Sequence, residues 1–200
     1  SVGHRRGRGL TVWPWDHAAA GYLLLSAATR LGWRRPPTRR AGVVAVFAAL
    51  LPDLIDKPLS WGLALLPSGR SLGHSVLFAL PLVLLVGVVA VAAKRHTVGL
   101  AFALGYLSHL AGDVAYPLVV KGELRLGFLF WPLVAVDQTG SGGGLPYLSE
   151  LVVAFLGFLL SPAGLLYVAA DLALLGGAVA VWLLDSRPVE PVEGSATADD

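Results

Sequence analysis

The chain has 200 residues, of which 56% are hydrophobic and 14% charged, and its mean hydropathy is +0.70. A soluble domain of this size carries roughly 25% charged residues, and the apolar excess here falls in long runs, which argues against a soluble core and for one domain with several spans. The absence of Cys excludes disulfides, thiolate metal sites and Cys nucleophiles, while the net charge of +2 sits in short basic clusters between apolar runs, a membrane-flank pattern, so that no nucleic-acid partner is expected.

Residues 1–12 read as a flexible basic segment rich in Gly and Arg. The start at Ser1, without Met, is expected of a trimmed chain. Nothing retained reads as a signal segment, because no small-residue cleavage site follows the first apolar run, 18–25. Residues 16–33 predict a short apolar helix with Asp16 as N-cap. Arg34-Arg35-Pro36-Pro37-Thr38-Arg39-Arg40 is a basic loop broken by proline. Residues 41–56 predict a second helix, ended or kinked at Lys57-Pro58. Residues 59–66 are apolar but short, as in a re-entrant or interfacial piece.

A third helix of spanning length is predicted over 74–93, and a fourth over 97–116, ended by Pro117. A long connection, 121–144, holds Phe130-Trp131-Pro132 and Ser141-Gly142-Gly143-Gly144. Residues 147–160 and 163–184 predict two further helices split by Ser161-Pro162, and 186–200 read as a disordered acidic tail. The expected architecture is all-α: a polytopic, multi-pass membrane bundle of about six helices over residues 13–185, with a polar site at one membrane face. Trp13, Trp15, Trp33, Trp61, Trp131 and Trp182 all fall near proposed helix ends, as in an aromatic belt.

An ionisable side chain in a membrane helix costs roughly 2.5–3.5 kcal/mol on insertion scales, so His17, Asp53, Asp56, His74, His109 and Asp113 stand out. Asp53 and Asp56 are i,i+3, and His109 and Asp113 are i,i+4, so each pair shares a helix face. Traced through alternating helices, all six reach the same end of the bundle. Three imidazoles and three carboxylates suit Zn²⁺, Mn²⁺ or Fe²⁺ better than Ca²⁺ or Mg²⁺, which prefer oxygen donors. One or two such ions with an open position would bring the pKa of a bound water to about 7. Asp56 could orient a neighbouring group or act as general base. Arg70 could act in catalysis, binding a phosphate oxygen or stabilising a pentavalent transition state, or it could anchor at a lipid headgroup. Asp16 could orient the imidazole of His17. Ser75 and Ser108 read as helix-packing residues, Asp171 as a partner for a neighbouring helix, and His4 and His96 as exposed loop residues.

At these same residues the chain resembles the membrane-bound metal-dependent hydrolases, also described as LexA-binding, inner-membrane-associated hydrolases. The matching pieces are Asp16-His17, Leu51-Pro52-Asp53-Leu54-Ile55-Asp56, Arg70 with Gly73-His74-Ser75, Leu107-Ser108-His109-Leu110-Ala111-Gly112-Asp113, and Phe130-Trp131-Pro132, covering roughly residues 13–135. The order His, Asp, His, His-x₃-Asp is also similar to the zinc-dependent phospholipase C and S1/P1 nuclease group. That similarity implies His17, Asp53, His74, His109 and Asp113 as metal ligands, Zn²⁺ first, and hydrolysis of a phosphoester. No His follows His109, so a mono- or dinuclear site is expected rather than a trinuclear one.

The favoured reading is a membrane-embedded metal-dependent hydrolase acting on a small-molecule or lipid phosphoester, with membrane lipid as its surroundings. The alternatives are an ion- or proton-coupled transporter, which requires a continuous polar path, and a membrane scaffold with a structural metal and a protein partner of unknown kind. Orientation stays open. Arg34, Arg35, Arg39, Arg40, Lys94 and Arg95 lie opposite the site, and Arg5, Arg6, Arg8, Lys57, Arg70, Lys121 and Arg125 lie beside it.

Overall fold

A computed structural model describes residues 13–138 and 140–187. The expected flexible segment 1–12, His4 within it, and most of the expected acidic tail lie outside the described residues. Among the described residues there are six α-helices and no strand: α1 (Pro14–Trp33), α2 (Arg39–Lys57), α3 (Val76–Ala92), α4 (His96–Lys121), α5 (Gly144–Leu159) and α6 (Pro162–Asp185). A single π-helical turn, Pro58–Gly62, extends α2, and a 3₁₀ turn, Gly127–Phe130, interrupts the long connection.

Small residues decide how the helices pack. Ala41, Ala45, Ala48 and Ala49 of α2 and Ala101 of α4 are buried, and α2 and α4 form the most extensive helix pair. A Cβ at Gly105 would run into the carbonyl oxygen of Ala45, and one at Gly21 of α1 would lie 2.9 Å from the Cβ of Ala49. Backbones can approach this closely only where side chains are absent, the usual basis of helix association in lipid. The core between the two ends is apolar, with Ala48, Ala79, Phe102 and Leu110 in one cluster and Leu25, Ala41, Ala45 and Ala101 in another. Outward faces are apolar too. Leu84, Leu85, Val88 and Val89 of α3, and Leu165, Leu166 and Leu172 of α6, are more than half exposed, as lipid-facing residues are.

Several boundaries differ from expectation. Asp16 lies inside α1, and its carboxylate accepts the Trp13 backbone N–H (3.2 Å) and the Tyr167 hydroxyl (3.0 Å), so it points away from His17. Asp171 of α6 lies beside Asp16. His74 precedes α3, and Ser75 is the N-cap. Pro117 does not end α4, which continues to Lys121 and stops at Gly122, where φ is 67°. A proline tolerated inside a helix removes the N–H that would meet the carbonyl four residues earlier, here that of Asp113.

The largest difference concerns α5. Its first turn packs Tyr147 edge-on to Trp61 (5.3 Å between centroids), and its last turns pack Phe155 on Trp13 (4.2 Å) and Phe158 near Tyr167 (5.8 Å). Trp61 follows the C-terminus of α2 and Trp13 precedes α1, so both ends of α5 touch the same end of the bundle. α5 therefore runs along that end instead of crossing to the other. Among the described residues two helices are long and apolar enough to cross a membrane, His96–Val119 within α4 and Gly164–Asp185 within α6. α3 and α5 are apolar but shorter. At the opposite end Asp185 closes α6 onto α1, accepting from the Tyr22 hydroxyl (2.8 Å) and the Ser26 hydroxyl (2.7 Å) and pairing with Arg30.

Candidate metal centre

The six singled-out residues meet at one end of the bundle, as the alternation of helices implied. His17 comes from α1, Asp53 and Asp56 from the C-terminal turns of α2, His74 from the segment before α3, and His109 and Asp113 from α4. All six are buried.

Four donor atoms converge. His74 Nε2 lies 3.0 Å from His109 Nε2, 3.3 Å from Asp113 Oδ2 and 3.6 Å from Asp53 Oδ1. His109 Nε2 lies 3.9 Å from each of the same carboxylate oxygens. A tetrahedral ion with ligands at about 2.0–2.1 Å sets its donors roughly 3.3–3.4 Å apart. The observed separations bracket that value, so the residues fit one divalent ion. His17 approaches from the other side of Asp113, with Nε2 3.6 Å from Oδ1, and its ring stacks on His109 at 3.8 Å. A Cβ at Gly112 would come within 3.2–3.3 Å of the His17 ring, so the glycine makes room for it.

Both converging imidazoles are fixed by their other nitrogen. His109 Nδ1 meets the carbonyl oxygen of Ala49 at 2.6 Å, one turn along from where Gly105 lies against Ala45. The glycine contact that draws α4 onto α2 thus also sets the depth of His109. His74 Nδ1 meets Asp56 Oδ2 at 2.8 Å. In each case the Nδ1–H donates, which turns the Nε2 lone pair inward; carboxylate and carbonyl partners of metal-ligating histidines commonly serve this purpose.

Asp56 does more than hold one ring. Its carboxylate also accepts the backbone N–H groups of Ser71 (2.6 Å), Gly73 (2.7 Å) and His74 (3.3 Å). Four bonds engage this carboxylate, three on Oδ2 and one on Oδ1, close to the roughly four it can accept. Asp56 thus anchors a loop, the orienting one of the two roles expected of it. That loop is pinned again by the Tyr106 hydroxyl, which donates to the Gly73 carbonyl (2.6 Å), and by the close approach of Gly73 to Pro52, where a Cβ would meet the carbonyl oxygen at 2.8 Å.

Two cations balance the carboxylates of Asp113 and Asp53. Arg70 grips Asp113 with two parallel bonds, Nε to Oδ2 (2.8 Å) and Nη2 to Oδ1 (2.9 Å), and Lys57 Nζ meets Asp53 Oδ2 at 2.5 Å. The Arg70 guanidinium also lies 5.8 Å from the ring of Phe128, which borders His74 edge-on. Phe128 is held near by Ser75, whose hydroxyl donates to the Trp131 carbonyl (2.5 Å). Burial works against a charged His74, but its hydrogen bonds and attraction to Asp113 and Asp56 outweigh this, and its pKa is raised above the ordinary histidine value. Ser108 turns its hydroxyl back to the Gly105 carbonyl (2.8 Å), and His96 is exposed.

Phe128, Tyr106 and the Ala49 carbonyl were not anticipated as parts of this centre, and Lys57 was placed beside it without being paired with Asp53. Lys57 lies i,i+4 from Asp53, a spacing that offered the one readable signal. The others arise from contacts distant in sequence.

The chain matches the family model described as YdjM inner membrane protein over residues 13–187. It belongs to the YdjM inner membrane protein family. No curated protein and no solved structure matches it. Membership establishes the membrane setting, with α4 and α6 as the helices suited to cross it. Within this YdjM-family chain two His/Asp groups have donor atoms within 4.8 Å of one another: Asp53, His74 and His109, and His17, His109 and Asp113. The two share His109, whose Nδ1 is committed to Ala49. Its Nε2 is therefore the nitrogen that both groups would draw on.

Proposed function

We propose that this chain is a multi-pass membrane protein that holds one divalent ion at one membrane face and uses it to hydrolyse a phosphoester. The observation that carries the reading is the convergence of two inward-turned Nε2 atoms with one oxygen each of Asp53 and Asp113. Asp53, His74, His109 and Asp113 would hold the ion, and His17 would supply a fifth donor from α1. The mixed nitrogen and oxygen set suits Zn²⁺ first, then Mn²⁺ or Fe²⁺. When bound, such an ion acidifies water and polarises a phosphoryl oxygen.

The surrounding residues support an anionic substrate. Asp53, Asp56 and Asp113 against Lys57 and Arg70 leave one negative charge. A divalent ion turns that into one positive charge, which draws anions. Arg70 commits two of its five N–H groups to Asp113 and remains partly exposed, so it can present the others to a phosphate oxygen. The apolar helix α5 along the same end, with Leu145 in its first turn and Leu160 just past its last turn largely exposed, suits a lipid phosphoester arriving from the bilayer as well as a small soluble one.

A transporter requires ionisable groups along the whole path, whereas the described middle of the bundle is apolar. Near-complete burial of His74, His109 and Asp113 favours a second reading, a scaffold with a structural ion. Hydrolysis of a soluble phosphodiester and of a phospholipid by detergent-purified, metal-loaded protein separates the two. Activity that disappears in His109→Ala/Asp113→Ala supports the hydrolase. Equal activity in the variant refutes it, and stoichiometric metal with no hydrolysis of either substrate favours the scaffold.

A further inference from the structure

At the end of the bundle away from the His/Asp cluster, the N-termini of α2 and α4 border an open hollow of about 420 Å³ lined by Thr38, Arg39, Arg40, Arg95, Thr97 and Val98. No acidic residue lines it. Arg30 pairs with Asp185, Arg70 with Asp113 and Arg125 with Glu123, while Arg34 and Arg35, outside the hollow, are exposed. Among the described residues Arg39, Arg40 and Arg95 make no ion pair and no side-chain hydrogen bond.

The charge is also of the wrong sign for the helices. A helix N-terminus carries partial positive charge and is stabilised by anions. Here Arg39 and Arg40 are the first two residues of α2, Arg95 precedes α4, and neither helix has an acid in its first turn. α4 has no side-chain cap, and α2 has only the Thr38 hydroxyl, which accepts from Ala41 N–H at 3.3 Å. Like charge is thus concentrated around one cavity with nothing in the described chain to offset it. The hollow also lies at a suitable depth. Trp33 and Trp182, at the same end, are each 49% exposed, as residues at the headgroup level of a bilayer are.

We propose that this hollow binds the phosphate of an anionic lipid headgroup, at a site separate from the His/Asp centre and on the opposite face. Three guanidiniums supply forked donors that match phosphate oxygens, the two helix N-termini add their free N–H groups, and Val98 borders the hollow with an apolar side chain.

The test compares wild type with Arg39→Gln/Arg40→Gln/Arg95→Gln in binding phosphatidylglycerol against phosphatidylcholine, read by native mass spectrometry from detergent. A control, Arg34→Gln/Arg35→Gln/Lys94→Gln, removes the same charge from the same end without touching the hollow. Any cation near an anionic surface contributes a nonspecific factor of roughly five, which both variants lose. The hollow variant is expected to lose about 10-fold more preference for phosphatidylglycerol than the control, beyond that shared loss. Inorganic phosphate forms a second arm. Displacement of the lipid at millimolar phosphate assigns the hollow to the phosphate group alone, and resistance to displacement assigns it to the lipid as a whole. Equal losses in the two variants, or no preference in wild type, would overturn the proposal.

Discussion

Asp56→Asn is the most informative single substitution, because it separates anchoring from proton transfer. The wild-type carboxylate accepts three bonds on Oδ2, from Ser71 N, His74 N and His74 Nδ1, and one on Oδ1, from Gly73 N. A carboxamide keeps the three by placing its oxygen at the Oδ2 position. Its NH₂ group then faces the Gly73 N–H, and two buried donors oppose one another. An unsatisfied buried donor costs about 1–3 kcal/mol, and each of the other three bonds loses about 1 kcal/mol when its acceptor is no longer charged. The loop is therefore weakened by roughly 4–6 kcal/mol. His74 loses its orientation with it, and metal affinity is expected to fall about 10- to 100-fold. The assay is competition with a chromogenic chelator, alongside thermal unfolding in detergent. A variant with wild-type affinity and stability but no hydrolysis would refute the anchoring argument and favour Asp56 as a general base.

Further expectations follow from the packing and the charges. Gly105→Ala forces a methyl against the Ala45 carbonyl, so it should lower stability by about 1–3 kcal/mol and weaken metal binding by moving His109 off Ala49; unchanged unfolding and affinity would contradict this. Asp185→Ala leaves Tyr22, Ser26 and Arg30 without their shared acceptor and should loosen α6 at a cost of about 2–5 kcal/mol, while metal content stays at the wild-type level. Loss of metal in that variant would show that the two ends are coupled. In metal-stripped protein, the raised pKa of His74 means that its protonated form stabilises the fold fully below the ordinary value of roughly 6.5. That contribution is lost as pH rises through the raised value. Stripped protein should thus lose thermal stability as pH rises above roughly 6.5, while stabilisation by added metal grows in the same direction as the ligand deprotonates. Parallel curves for stripped and loaded protein would contradict this.

Much of the site's location was legible because it depends on helix alternation. His17, Asp53, His74 and His109 reach one end whether each helix is a turn longer or shorter. The i,i+4 spacing of His109 and Asp113 survives any such error. Roles were less legible, since they depend on contacts distant in sequence. Asp53 and Asp56 look equivalent at i,i+3, yet residues 71–74 fold around one and leave the other free to converge with His74 and His109. The path of α5 was not legible either. A 16-residue apolar helix carries the same pattern whether it crosses a bilayer or lies along one end, and the packing of Phe155 on Trp13 decides between them. Pro117 misled for a similar reason, because helix breaking by proline weakens where neighbouring helices support the backbone.

Elemental analysis of the purified protein tests the account most directly, with wild type compared against His109→Ala/Asp113→Ala. The account predicts close to one equivalent of a transition metal or Zn²⁺ in wild type and near-complete loss in the variant. Equal and negligible metal in both, after growth with metal supplied, would contradict it.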